Sequence, residues 1–153
     1  MTITEYSQLK HPQFTDMLVA YFAEMKSDMP EHIIRGKLLN LIHSEQAQSI
    51  IHIGLYLDND KPIGFTIYQI DTPESDWCKR PGWGFIREFY ISPEYRLMGY
   101  GRQLASYSET KLRGLGATQI YLTAMVSIRF WEHCGFINTN TFCSNDQFVM
   151  VKE

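Results

Sequence analysis

The residues whose types and spacing could do chemistry are Arg96, Gly99 and Gly101, in the sequence RLMGYG. An apolar, aromatic segment precedes them (residues 85–91), and apolar residues at helical spacing follow them (residues 102–115). This predicts a strand, a glycine-bearing turn and a helix. The first amide groups of a helix have no partner within it and carry partial positive charge, and glycine lets a bulky group approach the backbone. The pattern therefore predicts a cradle for a phosphate or pyrophosphate.

The same glycines also suit a plain strand-to-helix turn that needs them only for its shape, and the spacing alone leaves both interpretations open. Two other phosphate motifs are absent. The chain has no G-x-x-x-x-G-K-[ST], which argues against a P-loop nucleotide hydrolase. Gly99 and Gly101 lack the third glycine of the dinucleotide fingerprint, and no acidic residue closes a second strand about 20 residues later.

Two segments together resemble a known family. Residues 89–101, FYISPEYRLMGYG, resemble the acyl-CoA-binding signature of the GNAT acetyltransferase superfamily, a hydrophobic strand and a proline-containing turn followed by [QR]-x-x-G-x-[GA] at the start of a helix. Residues 130–136, FWEHCGF, resemble the F-Y-x-x-x-G-F segment of that family. Their order and spacing match the family too, and the close resemblance covers residues 85–136, about a third of the chain.

The resemblance implies an α/β GNAT fold over a single domain, residues 1–153. That fold is a mixed, mostly antiparallel sheet of about six or seven strands, splayed after the fourth, with about four helices. The chain itself fits the order β-α-α-β-β-β-α-β-α-β-β. We predict strands at residues 3–9, 49–57, 62–70, 85–91, 119–123, 136–142 and 147–151, and helices at 11–26, 31–48, 102–115 and 127–134. The strands at 85–91 and 119–123 should run parallel, because a helix connects them.

The resemblance also implies a site for acetyl-CoA as co-substrate. The backbone of residues 89–91 would pair with its pantetheine arm, and the amide groups of residues 97–101 would hold its pyrophosphate. The N–H of Ile91 would polarise the thioester carbonyl, a catalytic role. The cofactor-binding residues implied in this way are Phe89, Tyr90, Ile91, Arg96, Leu97, Met98, Gly99, Tyr100, Gly101, Arg102 and Trp131.

Glu88 is the candidate general base, because it precedes the segment expected to face the thioester. An amine nucleophile has a pKa of about 10 and must lose a proton before it attacks. The alternative is a strand glutamate that pairs with Arg87 or Arg96, or that faces water.

The general acid is where the chain departs from the family. Trp131 stands where a tyrosine usually supplies a proton to the leaving thiolate, and Ala124 stands where an asparagine is frequent. An indole N–H is no useful acid. Tyr90, Tyr121 and Cys134 are the substitute donors, although a packing role explains each of them better. A thiol with a pKa of about 8.5 can also leave without help.

Composition narrows the class of protein. The chain has 153 residues, 44% of them hydrophobic, and 14 Lys and Arg against 17 Asp and Glu, which gives a net charge of −3. We therefore expect a globular protein with no nucleic-acid surface, and no membrane span or signal peptide. Three scattered cysteines and five histidines without ligand spacing predict no disulfide scaffold, no metal site and a cytoplasmic location.

We interpret the chain as an N-acetyltransferase that moves acetyl from acetyl-CoA to a primary amine of a small molecule or peptide by direct attack. The alternative is a catalytically degenerate acyl-CoA-binding sensor, which Trp131 and Ala124 favour. The loop at residues 71–83 is either functional or a surface excursion pinned by Trp77. The family resemblance leaves a homodimer open. Acidic residues near the expected acceptor side would suit a cationic amine: Glu24, Asp28, Glu31, Asp71, Glu74 and Asp76.

Overall fold

A computed structural model describes residues 1–75 and 80–153. The predictions that involve Asp76 and Trp77 lie outside the described residues. The helices and strands in chain order are β1 (Thr2–Glu5), α1 (Phe14–Glu24), α2 (Glu31–Ile33), a π-helical turn (Ile34–Leu38), α3 (Leu39–Ala47), β2 (His52–Asp58), β3 (Lys61–Ile70), β4 (Gly84–Ile91), a 3₁₀ turn (Pro93–Tyr95), α4 (Tyr100–Gly114), β5 (Ile120–Ala124), α5 (Ile128–His133), β6 (Ile137–Phe142) and β7 (Phe148–Lys152).

The seven strands form one sheet in the order β1-β2-β3-β4-β5-β7-β6. All neighbours are antiparallel except β4 and β5, which run parallel. This parallel pair meets only where Gly84 faces Ile120 and Phe85 faces Tyr121. Beyond that point β4 separates from β5, and a gap opens beside the last part of β4. The predicted mixed sheet and its splay after the fourth strand are confirmed.

Helices cover both faces of the sheet, and the apolar spacing of each helix explains which side it buries. On α1, Phe14, Met17, Leu18 and Tyr21 recur at helical intervals and are buried against β2 and β3. On the other face, α4 buries residues at similar intervals, including Leu104 and Leu112. Each fully buried side chain of this size contributes about 1.5–3 kcal/mol. The two faces therefore hold α1 and α4 firmly on opposite sides of β4.

A β-bulge in β4 decides which way its polar residues point. Ile67 of β3 pairs with Glu88 and the next residue, Tyr68, pairs with Ile86, so Arg87 is an extra residue on β4. Ile86 packs on the α4 side. Strict alternation would send Glu88 to that side as well. The extra residue instead leaves both Arg87 and Glu88 on the side of α1 to α3.

Most predicted boundaries shift by a few residues in the structure, and three of the differences have a clear physical reason. The first strand ends at Glu5 because residues 8–10 form a turn. The predicted second helix is interrupted by the π-helical turn, which apolar spacing does not reveal. The helix expected from Arg102 begins at Tyr100, because the carbonyl of Gly99 already accepts a hydrogen bond from the amide of Gln103 (3.3 Å). Within residues 1–75 and 80–153, no helix is long and apolar enough to cross a membrane.

Candidate active site

The turn before α4 has the backbone geometry of an anion site. Gly99 lies directly before the helix with φ at +88°, and Leu97 also has a positive φ, +62°. None of the amide groups of residues 97–102 donates a hydrogen bond to another residue in the part of the chain that the structure describes. The side chains of Leu97 and Met98 are exposed and leave these groups accessible. Successive free amides at a helix N-terminus suit a phosphate or pyrophosphate.

The two glycines of this turn have different physical reasons. Gly99 adopts a left-handed conformation that costs other residues about 1–2 kcal/mol. A Cβ at Gly101 would lie 2.9 Å from Cε1 and 3.1 Å from Cζ of Phe130, so this glycine lets α4 approach α5. Shape alone accounts for both glycines. The evidence for an anion site is instead the row of free amide groups at residues 97–102.

The edge of β4 presents backbone groups to the gap. The amide of Ser92 donates to the carbonyl of Ile63 (2.8 Å), so residues 63 and 92 form a hydrogen-bonded pair. Antiparallel pairs alternate, and Gly64 with Ile91 is therefore a non-hydrogen-bonded pair, as is Thr66 with Phe89. The N–H and C=O groups of Phe89 and Ile91 consequently point away from β3 and towards the gap. The N–H of Ile91 is thus available to a group that enters the gap.

Glu88 is half-buried on the α1 side of β4, and its carboxylate accepts a hydrogen bond from the hydroxyl of Tyr21 on α1. Desolvation raises the pKa of Glu88, while the Tyr21 hydrogen bond and the charge of Arg87 act in the opposite direction. Burial and the adjacent carboxylate also raise the pKa of Tyr21, so the tyrosine stays a proton donor. A glutamate with a raised pKa is a better match to proton transfer near neutral pH than an ordinary one.

Neither arginine that could neutralise Glu88 forms an ion pair with it in the described chain. Arg87 binds Glu45 of α3, with Nη1 3.2 Å from Oε2. Arg96 binds Glu24 at the end of α1 through two parallel hydrogen bonds of 2.6 and 2.7 Å. The arrangement is consistent with a base whose partner is a neutral hydroxyl.

Arg96 does not direct its side chain at the free amide groups of the turn. Besides its two bonds to Glu24, it donates from Nε to the carbonyl of Ile91 (2.7 Å). Its guanidinium also lies over the ring of Tyr90, 5.5 Å from the centroid. In this structure Arg96 therefore joins α1 to the end of β4.

The other predicted cofactor residues surround the turn and the gap. Tyr90 is buried on the α1 side, with its ring 5.5 Å from that of Tyr21. Phe89 faces the other side and packs on Trp131, with ring centroids 4.8 Å apart. Tyr100 packs on Tyr56 at 5.6 Å, and Arg102 is exposed on the first turn of α4.

Trp131 is buried in an aromatic cluster on the α4 side. Its ring also contacts Phe130 (4.8 Å) and Phe136 (5.5 Å). The indole thus has a packing role that accounts for its presence.

The three substitute acids have other surroundings. The hydroxyl of Tyr121 donates to Asp71, and Tyr90 lies on the face opposite Trp131. Cys134 is half-buried, and burial raises the pKa of its thiol.

The acidic residues expected to attract a cationic amine are mostly occupied. Glu24 binds Arg96, and Asp71 accepts from Tyr121. Glu31 binds Arg35, which also binds Asp16. Three of the five acidic residues of this set that the structure describes are therefore already engaged within the protein. Among residues 1–75 and 80–153, no three His, Cys, Asp or Glu side chains lie close enough together to hold a metal ion.

Sequence analysis misses one residue of the site and expects a different role for another. Tyr21 is one more member of the apolar face of α1, and Glu24 is grouped with the acids that would attract a cationic amine. They are 67 and 72 positions away from their partners, Glu88 and Arg96. The available signal is their spacing of three on one helix, which places both side chains on the same face.

Comparisons with known proteins agree with this geometry. The model of the acetyltransferase (GNAT) family matches residues 11–136. Comparison of the sequence with curated proteins gives no match.

Solved structures with the same fold include three acetyltransferases. PaiA N-acetyltransferase from Thermoplasma acidophilum, in complex with coenzyme A, is 21% identical with a TM-score of 0.72, over 100% of this chain and 99% of that one. Histone acetyltransferase HPA2 and related acetyltransferase from Corynebacterium glutamicum is 18% identical, with a TM-score of 0.75 over 99% and 94%. Aminoglycoside antibiotic 6'-N-acetyltransferase from Acinetobacter haemolyticus is 18% identical, with a TM-score of 0.71 over 94% and 95%. At these identities the likeness shows a shared fold.

Proposed function

The chain belongs to the GNAT acetyltransferase family, and from that premise we propose that it transfers an acetyl group from acetyl-CoA to a primary amine by direct attack. One observation carries the proposal. Where β4 leaves β5, the backbone of Ile91 faces the gap and Glu88 stands on the same stretch of strand with a raised pKa. A polarising donor and a base held by the same strand are what amide formation from a thioester requires.

The residues around the gap suit acetyl-CoA, whose thioester supplies an activated acetyl group. The free amides of residues 97–101 would bind its pyrophosphate, with Gly99 giving the turn its shape. The outward N–H and C=O groups of Phe89 would pair with the amides of its pantetheine arm, as an added strand does, and would leave the Ile91 N–H for the thioester. Backbone groups make all of these contacts, which explains why Arg96 can be engaged elsewhere.

Glu88 acts as the general base in this proposal. A primary amine is protonated near neutral pH, because its pKa is about 10. The carboxylate takes one proton from the ammonium group, directly or through water, and the neutral nitrogen then attacks the acetyl carbon. As the C–S bond breaks and the thiolate leaves, the nitrogen loses its second proton to solvent. Tyr21 holds the carboxylate in place through its hydrogen bond. The Ile91 N–H donates to the acetyl oxygen as that atom gains negative charge.

No side chain is assigned as general acid. A thiolate whose conjugate acid has a pKa of about 8.5 leaves more readily than an alkoxide and needs less help. Trp131 has no acidic proton, and the Tyr121 hydroxyl is bound to Asp71. We also propose a cytoplasmic location, in line with the free thiols of Cys134 and Cys143.

The test measures free thiol released from acetyl-CoA in the presence of a polyamine, an aminoglycoside, an amino acid and a peptide with a free N-terminus. We expect at least one amine to support release, and Glu88→Gln to lower kcat by about 10²–10⁴-fold. Glu132→Gln, on the exposed side of α5, is the matched control and should leave kcat unchanged. Binding of acetyl-CoA without release for any amine would favour an acyl-CoA sensor instead.

A further inference from the structure

The guanidinium of Arg96 bridges three parts of the molecule that meet beside the gap. It is rooted in the turn before α4, binds Glu24 at the end of α1, and donates to the carbonyl of Ile91 at the end of β4. The two Glu24 bonds form a planar fork, the geometry in which arginine and a carboxylate bind most specifically. All three guanidinium nitrogens of Arg96 therefore donate hydrogen bonds to other residues of the protein.

The bond to Ile91 matters because of the peptide plane that it holds. The carbonyl of Ile91 and the amide of Ser92 belong to one planar unit. Arg96 binds the carbonyl end at 2.7 Å, and Ile63 of β3 accepts from the amide end at 2.8 Å. Fixed at both ends, this plane cannot turn freely about the Cα–C bond of Ile91, which restricts the backbone of Ile91 next to its N–H group.

Tyr21 and Glu24 connect α1 to the two ends of the part of β4 that borders the gap, residues 88–91. They are three positions apart on α1, so both side chains project towards β4. Tyr21 holds Glu88 and Glu24 holds Arg96. The base and the peptide that follows the Ile91 N–H are thus both held by α1.

From these contacts we propose that Arg96, anchored by Glu24, is a positioning residue that orients the Ile91 peptide for acetyl transfer and does not serve as a phosphate ligand. The inference rests on the proposed function, since it assigns Arg96 a part in that reaction. A displacement of a reacting group by about 1 Å can lower the rate about 10²-fold. Loss of the Arg96 bridge should therefore appear in kcat.

Three variants separate the two roles of Arg96. Arg96→Lys keeps the charge but cannot reach both the Glu24 carboxylate and the Ile91 carbonyl with a planar fork. Glu24→Gln removes the anchor and leaves the guanidinium free to turn. The matched control is Arg113→Lys, because Arg113 bridges the Thr118 carbonyl (2.6 Å) and Glu109 (3.4 Å) in the same manner at the far end of α4.

The experiment first identifies an amine that supports turnover by the wild-type protein, then measures kcat and the KM for acetyl-CoA of each variant. We expect Arg96→Lys and Glu24→Gln each to lower kcat about 10- to 100-fold, with KM within about threefold of wild type. The double variant should be no worse than the poorer single one, because both break the same bridge. Arg113→Lys should match wild type in both constants.

A fourth variant without the charge, Arg96→Gln, should lower kcat with the KM within about threefold of wild type. Other outcomes overturn the inference. Were Arg96 a phosphate ligand, Glu24→Gln would leave kcat intact and leave or lower the KM, and Arg96→Gln would raise the KM strongly. Were its role only structural, thermal unfolding would shift while kcat per folded molecule stayed constant. Exposed ion pairs add little stability, and both side chains of this pair are about 40% exposed (39% and 43%), so the variants should stay folded. A wild-type protein without turnover would refute the proposed function, which is a separate result.

Discussion

Replacing Gly99 by alanine isolates the backbone geometry of the turn from every other effect. A Cβ at this position would meet no atom within 4 Å, so packing opposes nothing. The φ of +88° remains, and an L-residue in that conformation costs about 1–2 kcal/mol. For a domain of 153 residues, 1 kcal/mol moves Tm by about 2–4 °C, so Gly99→Ala should lower Tm by about 2–8 °C.

Gly114 provides a matched control at the other end of α4. A Cβ there would also meet nothing within 4 Å, but this residue is helical. Alanine is preferred to glycine inside a helix by up to about 1 kcal/mol, so Gly114→Ala should leave Tm unchanged or raise it by up to about 4 °C. The two variants add the same methyl group and should shift Tm in opposite directions.

The assay is thermal unfolding with and without saturating acetyl-CoA. Ligand at about 100 times its Kd stabilises the folded state by about 2.7 kcal/mol, several degrees at this size. We expect Gly114→Ala to retain that rise and Gly99→Ala to lose most of it at the same concentration, because a relaxed turn scatters the amide groups. A Gly99→Ala protein with wild-type Tm and a full ligand-induced rise would refute the reasoning about this turn.

Three further predictions follow from the contacts of the gap. Tyr21→Phe removes the hydrogen bond that lowers the pKa of Glu88, so the acidic limb of the pH profile of kcat should move to higher pH; an unmoved limb would mean that another group is the base. Burial raises the pKa of folded Glu88 above its ordinary 4.5, so the wild-type protein loses stability as pH rises from that value through the folded pKa. In urea titrations, the free energy of unfolding of Glu88→Gln relative to wild type should therefore grow with pH over this range, and a constant difference would contradict the desolvation. Gly101→Ala gains helix propensity but presses a Cβ against Phe130, so the free energy of unfolding should fall by about 0–2 kcal/mol, and adding Phe130→Leu should restore part of it. Additive losses of stability in the double variant would show that this contact is not the cause.

Local patterns predict much of this fold. The alternation of apolar residues and the helical spacing locate most of the strands and helices to within a few residues, because each buries one side against the core. The turn before α4 is predictable for a related reason, since only glycine adopts the φ of Gly99 without strain. The start of α4 at Tyr100 is less predictable, because it depends on the hydrogen bond that the Gly99 carbonyl accepts from the amide of Gln103.

The site depends on contacts between distant parts of the chain, which local sequence patterns cannot predict. The bulge at Arg87 decides the side on which Glu88 lies, yet the segment FIREFYI reads as an ordinary strand. Tyr21 and Glu24 gain their roles only when α1 packs on β4, which joins residues about 70 positions apart. Arg96 shows the same limit: its charge beside a glycine turn suggests a phosphate ligand, whereas its contacts favour a positioning role.

The most direct measurement compares, in one reaction, the coenzyme A thiol released and the N-acetylated amine formed, the latter by mass spectrometry. For direct transfer we predict equal amounts from the wild-type protein, and a parallel fall of both in Glu88→Gln while the acetyl-CoA-induced rise in Tm persists. Thiol released without acetylated amine would indicate hydrolysis. Equal amounts at a wild-type rate from Glu88→Gln would contradict the assignment of Glu88 as the base.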